Sequence, residues 1–469
     1  MKKRTVPNFR TERDSLGTLR VPGHAYYGIE TARAIANFPI SGLRFHPDLI
    51  WALGAVKKAC ALANQSLRRL DPRRARAVIR AAEEVMAGRL NDQFVTDALQ
   101  SGAGVSLHMN TNEVIANRAL EILGRRKGNY EFLSSHDHVN MGQSTNDVIP
   151  TAMRLGTLRL LKEFVESSKA LERSFAKKAA QFRRIVKAGR THLQDAAPVT
   201  LGQEFSGYAR QLEKGRLRVE TISKNLLELG IGGSAVGTGL NTTLAYRNRV
   251  IRNLRRITGL PVRSGRNLFE LMQSDADLAA LSGALRIYAV ALIQISNDLR
   301  LLSSGPKTGL AEIHLPARQP GSSIMPGKVN PVMPEVAAQI GFHVIGNDIV
   351  VTLAGQAGQL ELNVMRPVLA LNLFESIEML KNGCRVFRTY CVEGITADAK
   401  RCRDYAEQSY GIAAALNPHI GYVRAAECVK ESVRTGKTLR QVVLDKGYSK
   451  AAELDRILSP ENLTQPKRN

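Results

Sequence analysis

A chain of 469 residues is longer than one ordinary hydrophobic core and implies two to four domains. Apolar residues make up 44% of it and aromatics only 5%, with a single tryptophan at Trp51, so aliphatic and alanine packing must build the core, which favours helices over a β-sandwich. The formal charge of +24 is spread along the chain without a nucleic-acid-binding module or interleaved aromatics, so a positive cleft for small anions explains it better than nucleic acid does.

The opening MKKRTVPNFRTER is basic, but no apolar stretch follows it as in a secretory leader. No run of 18 or more apolar residues suggests a membrane span. Cys60, Cys384, Cys391, Cys402 and Cys428 are odd in number and include no C-x-x-C pair, so neither a disulfide framework nor a zinc site is indicated, and a reducing cytoplasm is the expected location.

Up to Leu155 short apolar runs alternate with turns, and polar clusters fall at residues 101–112 and 134–150. The second contains DHVNMGQSTNDVIP, where Ser144, Thr145 and Asn146 offer hydroxyls and an amide suited to capping a helix and meeting a carboxylate. A helical seam follows at Leu161, Phe164, Ser168, Leu171, Phe175 and Phe182. The next break, residues 189–202, places Thr191 and His192 between the tail of one helix and the head of another, where His192 is a candidate acid, base or charge partner. Helical patterns resume over 203–229. Between residues 267 and 304 there is no proline, and Leu278, Leu281, Leu285, Tyr288, Leu292, Ile295, Leu299 and Leu302 alternate three and four apart, the seam of a helix about 36 Å long. A fourth break covers 305–334, helix returns over about 335–386, and beyond Ala397 the chain becomes a smaller, highly charged helical segment. One polar break is more often a solvated turn than a site, but four between long seams fit a helical bundle whose loops share a site.

Within the fourth break stands GSSIMPGKVNP, residues 321–331, whose glycines and prolines predict a loop with its polar groups presented. It is no P-loop, because five residues separate its glycines and Val329 follows Lys328. GIGGSA, residues 230–235, fits a dinucleotide pattern in letters but follows a helical run, so the required strand is missing and a helix C-cap and turn is the better reading. There is no G-x-S-x-G elbow and no H-E-x-x-H. Hydroxyls, amides, one lysine and one histidine on separate loops are an inventory for holding a dicarboxylate and stabilising charge that develops on it.

GSSIMPGKVNP resembles the signature loop of the aspartase/fumarase superfamily, and QSTND, GRTHLQDA, TLGQEF and AVGTGLNT resemble its other blocks, so the likeness spans almost the whole chain. LLSSGPKTGLAEIHLP, VNPVMPEV, AGQLELNVM and FESIEMLKNG look closer to the aspartase branch than to class II fumarases. The resemblance implies a mainly α, three-domain fold with a central bundle of long helices that assembles into a tetrameric helical core. We place its regions at residues 1–145, 146–397 and 398–469. It implies a homotetramer with active sites shared by three subunits, and a carbon–nitrogen lyase that interconverts L-aspartate with fumarate and ammonia. Ser322 would be the base, Ser323, Ser144 and Thr145 would bind the carboxylate that becomes a dianion, and Lys328 and Asn330 would hold the other carboxylate. Asn146, Thr191 and His192 would face the amino group, with Glu335 oriented towards His192. Such chemistry requires no organic cofactor; some relatives respond to divalent cations, and the sequence leaves that open.

Three positions depart from the family pattern. Val105 stands where the family has a substrate-contacting threonine, His108 where it has asparagine, and His136 where it usually has asparagine. Valine keeps threonine's shape without its hydrogen bond. A working aspartase in which His108 or a water compensates, a lyase tuned to another amino or hydroxy dicarboxylate, and a tetrameric scaffold of reduced activity all stay open; intact Ser322, Lys328, Asn330 and His192 argue against the last.

Overall fold

The structure is a computed structural model that describes residues 9–465; the first eight residues of the basic opening stretch and the last four of the expected C-terminal region lie outside the described residues. A hairpin of β1 (Phe9–Asp14) and β2 (Gly17–Pro22) leads into α1 (Ile29–Asn37), α2 (Pro47–Ser66), α3 (Pro72–Met86) and α4 (Val105–Ile122). Helix α5 (Thr145–Gln181) runs for 37 residues. A second hairpin, β3 (Val186–Thr191) and β4 (Gln194–Thr200), precedes α6 (Leu201–Ser223). The two-residue strand β5 (Glu228–Leu229), helix α7 (Leu244–Thr258) and the strand β6 (Arg263–Ser264) follow, β5 and β6 pairing in parallel. Next come α8 (Leu268–Gln273), α9 (Ala276–Leu302), β7 (Ile313–His314), α10 (Val332–Gln356), α11 (Arg366–Tyr390) and β8 (Thr396–Ala397), which pairs with β7. The chain ends in α12 (Ala399–Gln408), α13 (Ala413–Ile420), α14 (Tyr422–Thr435), α15 (Leu439–Asp445), α16 (Ala451–Ile457) and α17 (Pro460–Thr464). The fold is mainly α, as expected, and among the described residues no sheet exceeds two strands.

Local chemistry sets the helix ends. The Asp71 carboxylate accepts the N–H groups of Arg73 and Arg74 at 3.0 Å, and Pro72 fills the first helical position of α3, where an N–H would go unpaired. Thr243 Oγ1 accepts the N–H of Tyr246 at 3.1 Å to open α7, which closes at Gly259 with φ +70°.

The described chain divides into two compact units. Unit 1 comprises the chain up to Val165 with Leu217–Ile287 and His343–Leu380, and unit 2 comprises Glu166–Arg216, Tyr288–Phe342 and the chain from Lys381. The division runs through α5, α6, α9, α10 and α11. In unit 1, α2 packs against α3 and α7, burying Val56, Cys60, Val78, Val85, Val250 and Leu254. In unit 2, Phe175, Phe182, Phe205, Tyr208 and Phe387 form an aromatic cluster with ring centroids 5.2 to 6.3 Å apart. Ser168, the polar member of its seam, donates to the buried Tyr288 hydroxyl at 3.0 Å. Leu416, Cys428, Val443 and Leu454 are buried in a separate small core of the last helices.

All eight seam residues from Leu278 to Leu302 are buried, as their spacing predicts. Other boundaries moved. The helix begins at Ala276, not near 267; α6 stops at Ser223 before a 3-10 turn; and the stretch expected over 335–386 is two helices interrupted between Gln356 and Arg366. Most of the cluster at 101–112 is not a break, since α4 starts at Val105. Helices α9 and α10 are long and apolar enough, by length and composition only, to cross a bilayer, a test that buried core helices also pass, and neither holds an unbroken run of 18 apolar residues.

Candidate active site

Ser144, Thr145 and Asn146 lie where α5 begins, and Asp147 fixes that turn. Its carboxylate accepts the N–H of Ser144 at 2.9 Å on one oxygen and those of Gly232 and Ser234 at 2.9 and 3.0 Å on the other. Burial pushes the Asp147 carboxyl up to about 6 against the pull of these three donors. The glycine run 230–233 is thus a cradle for a carboxylate and not a nucleotide loop, although the two-residue strand β5 does precede it. Gly232 has φ +89°, and a Cβ there would meet the Arg247 side chain at 2.9 Å. Asn146 Nδ2 donates to the carbonyl of Ala235 at 2.7 Å, while its own carbonyl accepts Arg366 Nη1 at 3.3 Å. Arg366 is itself buried, paired with Asp275 at 3.1 Å and donating to the carbonyls of Leu271 and Met272.

Behind Thr145 stands a buried basic pair. His108 Nδ1 lies 2.7 Å from Thr145 Oγ1, and His108 Nε2 lies 2.7 Å from Lys57 Nζ. Lys57 also donates to Asn140 Oδ1 at 3.0 Å and Gln143 Oε1 at 2.9 Å. Burial brings the Lys57 ammonium down to about 7, and burial together with the neighbouring Lys57 keeps His108 well below the usual imidazole range.

In unit 2, Thr191 ends β3 and His192 occupies the tip of the β3–β4 hairpin with Leu193. Both tip residues have positive φ, +55° and +58°, in a turn that usually selects asparagine and glycine. Expected between two helices, His192 is instead held out on a two-stranded arm and is exposed. Strand β3 is anchored by Lys187 near the base of the arm and Arg190 near its tip, which reach the fully buried Glu312 at 3.2 and 2.9 Å.

The loop over residues 321–331 is irregular and largely exposed, as predicted. Its neck is closed by Gly321 N–H to the Lys328 carbonyl and Asn330 Nδ2 to the Gly321 carbonyl, both at 2.7 Å. Ser322 Oγ accepts two backbone N–H groups, from Ile324 at 3.2 Å and Met325 at 3.0 Å. Ser323 and Lys328 are exposed, and Glu335 lies in the first turn of α10. Among the described residues no hydrogen bond joins Glu335 to His192, and no three His, Cys, Asp or Glu side chains gather as a metal site.

The Lyase family profile matches residues 17–346, and a Fumarase C C-terminus profile matches residues 412–465. The chain belongs to the aspartase/fumarase superfamily. Among its relatives is an aspartate ammonia-lyase from a Bacillus species, 48% identical over 97% of this chain and 98% of that one. A crystal structure of fumarate lyase:delta crystallin from Brucella melitensis is 45% identical with a TM-score of 0.95, covering 98% of this chain and all of that one. Class II fumarase from Schistosoma mansoni is 34% identical with a TM-score of 0.92, covering 97% of this chain and 98% of that one.

Against that superfamily pattern, Val105 opens α4 directly after Gly104 at φ +84° and is 43% exposed. It lines a cavity of about 640 Å³ with Arg13, Arg33, Ser101 and His136. His136 Nε2 meets Glu30 Oε1 at 2.5 Å, and that carboxylate raises the imidazole above its usual range. The residue that sequence reasoning missed is Lys57. Its signal was there: it falls inside the long apolar and alanine-rich run of α2, a helix buried on nearly every side, where a lysine needs partners.

Proposed function

We propose that the chain catalyses the reversible deamination of L-aspartate to fumarate and ammonia. The observation that carries this reading is its full-length similarity to relatives named for that reaction. The signature loop supplies the chemistry. Ser322, as alkoxide, takes a proton from the carbon next to the side-chain carboxylate, and the electron pair left behind passes into that carboxylate to give an aci-carboxylate dianion. Collapse of the dianion forms the carbon–carbon double bond and breaks the carbon–nitrogen bond, releasing ammonia.

A serine hydroxyl is a weak base in water, and the two N–H groups aimed at Ser322 Oγ are what favours its negative form. Ser323, Ser144 and Thr145 bind the carboxylate that gains charge, and Lys328 with Asn330 holds the other. Asn146, Thr191 and His192 face the amino group, Glu335 positions His192, and the loop closes over the substrate.

We place these groups in a homotetramer whose sites draw on three subunits. Two apolar stripes that a single chain leaves uncovered support it: Phe342, Ile349 and Leu353 on α10, and Ile287, Val290 and Leu301 on α9. A cytoplasmic location is inferred from five cysteines that are all free thiols. Val105 favours one second reading, a lyase acting on another amino or hydroxy dicarboxylate. Ultraviolet detection of fumarate from L-aspartate, with L-malate in a parallel cell, tests the proposal: fumarate from aspartate supports it, fumarate from malate alone transfers the chain to hydratase chemistry, and silence from both shifts the case to the second reading.

A further inference from the structure

Lys57, His108 and Thr145 form one hydrogen-bonded line inside unit 1, with 2.7 Å at each junction. The donor count gives the line a direction. An ammonium has three N–H groups and no acceptor. Lys57 Nζ has three partners in reach: the amide oxygens of Asn140 and Gln143, and His108 Nε2. The two amides present oxygen to the lysine because their NH2 groups are engaged elsewhere, Asn140 Nδ2 on the carbonyl of Gln143 at 3.3 Å and Gln143 Nε2 on that of Val139 at 3.0 Å. When Lys57 is the ammonium and gives one N–H to each of these partners, His108 Nε2 accepts and the single proton of the neutral imidazole sits on Nδ1. Nδ1–H then donates to Thr145 Oγ1, and the hydroxyl proton of Thr145 must be given to another acceptor.

We propose that Lys57 and His108 are positioning residues that commit the Thr145 hydroxyl proton to the bound substrate carboxylate, an inference that rests on Thr145 binding that carboxylate as described above. The direction reverses if Lys57 loses its proton. A neutral amine accepts from Nε2–H, Nδ1 then accepts from Thr145, and the carboxylate loses a donor. Burial brings the Lys57 ammonium down to about 7, so the direction of the line depends on which form of the lysine is present. The titratable groups around the line are Asp147 and Cys60 beside Lys57, Tyr246 hydrogen-bonded to Cys60, and His136 near His108. An ionised Asp147 favours the ammonium.

Neutron diffraction from deuterium-exchanged crystals of the full chain below pH 7 reads the direction itself. Deuterium on His108 Nδ1 with Nε2 bare is expected; deuterium on Nε2 overturns the proposal. Kinetics with L-aspartate supply the second readout. His108→Leu frees the Thr145 hydroxyl to turn away from the carboxylate and is expected to raise KM several-fold, about the worth of one neutral hydrogen bond, with a smaller fall in kcat. His108→Asn keeps an N–H at the place of Nδ1 and recovers most of that loss. A folded His108→Leu protein with unchanged KM overturns the proposal. If the wild type makes no fumarate from aspartate, the assigned reaction fails, and the deuterium positions still decide the direction of the line.

Discussion

The backbone N–H of Met325 points at the hydroxyl oxygen of Ser322 from 3.0 Å, three residues along the same loop. A second N–H, from Ile324, shares that oxygen, an arrangement that would favour negative charge there if Ser322 is the base proposed above. Ser322→Ala should therefore lower turnover of L-aspartate by about 10² to 10⁴-fold, the usual share of a positioned base, and leave the assembly unchanged. Fumarate absorbance beside size-exclusion chromatography reads both; retained activity would remove Ser322 from the role of base.

Val105 is the one apolar group among the candidate site residues, and its side chain is partly open to solvent and to a cavity. Val105→Thr restores a hydroxyl at nearly the same volume. Turnover of L-aspartate is expected to rise by about tenfold or more, from a hydrogen bond to a charged group worth about 1.5 to 3 kcal/mol. A flat or falling rate would mean that the site already compensates, and would count against Val105 as an impairment.

Lys57 brings a pH dependence to stability. Its pKa falls from 10.5 to about 7 on burial. Between those values the unfolded chain carries a proton that the folded chain has released, so this group makes the fold more stable as pH rises from about 7 towards 10, and that stability is lost as pH falls through 7. Urea unfolding of wild type and Lys57→Met should show their difference in free energy changing by about 3 kcal/mol between pH 7 and pH 9.5. A pH-independent difference would place the lysine in an environment as polar as water.

Asp147 spends both oxygens on backbone N–H groups. Asn would put an NH2 where one oxygen accepts, leaving at least one N–H unpaired, at a cost of about 1 to 3 kcal/mol. Asp147→Asn is expected to lower Tm by a few degrees and, by loosening the turn that holds Ser144 and Thr145, to raise KM for aspartate. An unchanged melting curve would show that the clamp contributes nothing.

How much could be read from the sequence varied with the physics of each element. The seam from Leu278 to Leu302 was legible because every position meets protein, so period and burial coincide. The signature loop was legible because glycine and proline punctuate it. Helix α4 was hidden: Ser106, His108, Asn110, Thr111, Asn112 and Glu113 are all buried polar residues, so no apolar stripe marks the helix. The β3–β4 hairpin was hidden because its turn is His192-Leu193 and not a glycine-bearing pair, and because Pro198 sits in its second strand. Lys57 looked like one more charge among 66 lysines and arginines, and only the apolar run around it in α2 separates it from most of them.

The five cysteines carry a last consequence. All are buried, and burial pushes Cys60, Cys384, Cys391 and Cys402 up to about 12 and Cys428 above its ordinary value. Alkylating reagents attack thiolates, so these buried thiols are expected to react slowly with maleimide dyes in the native fold. Ile324, 83% exposed in the signature loop, then becomes a place where a single introduced cysteine would be the sole address for a fluorophore. Any motion of the 321–331 loop could be followed in real time by its brightness, without first stripping the protein of its own sulfur.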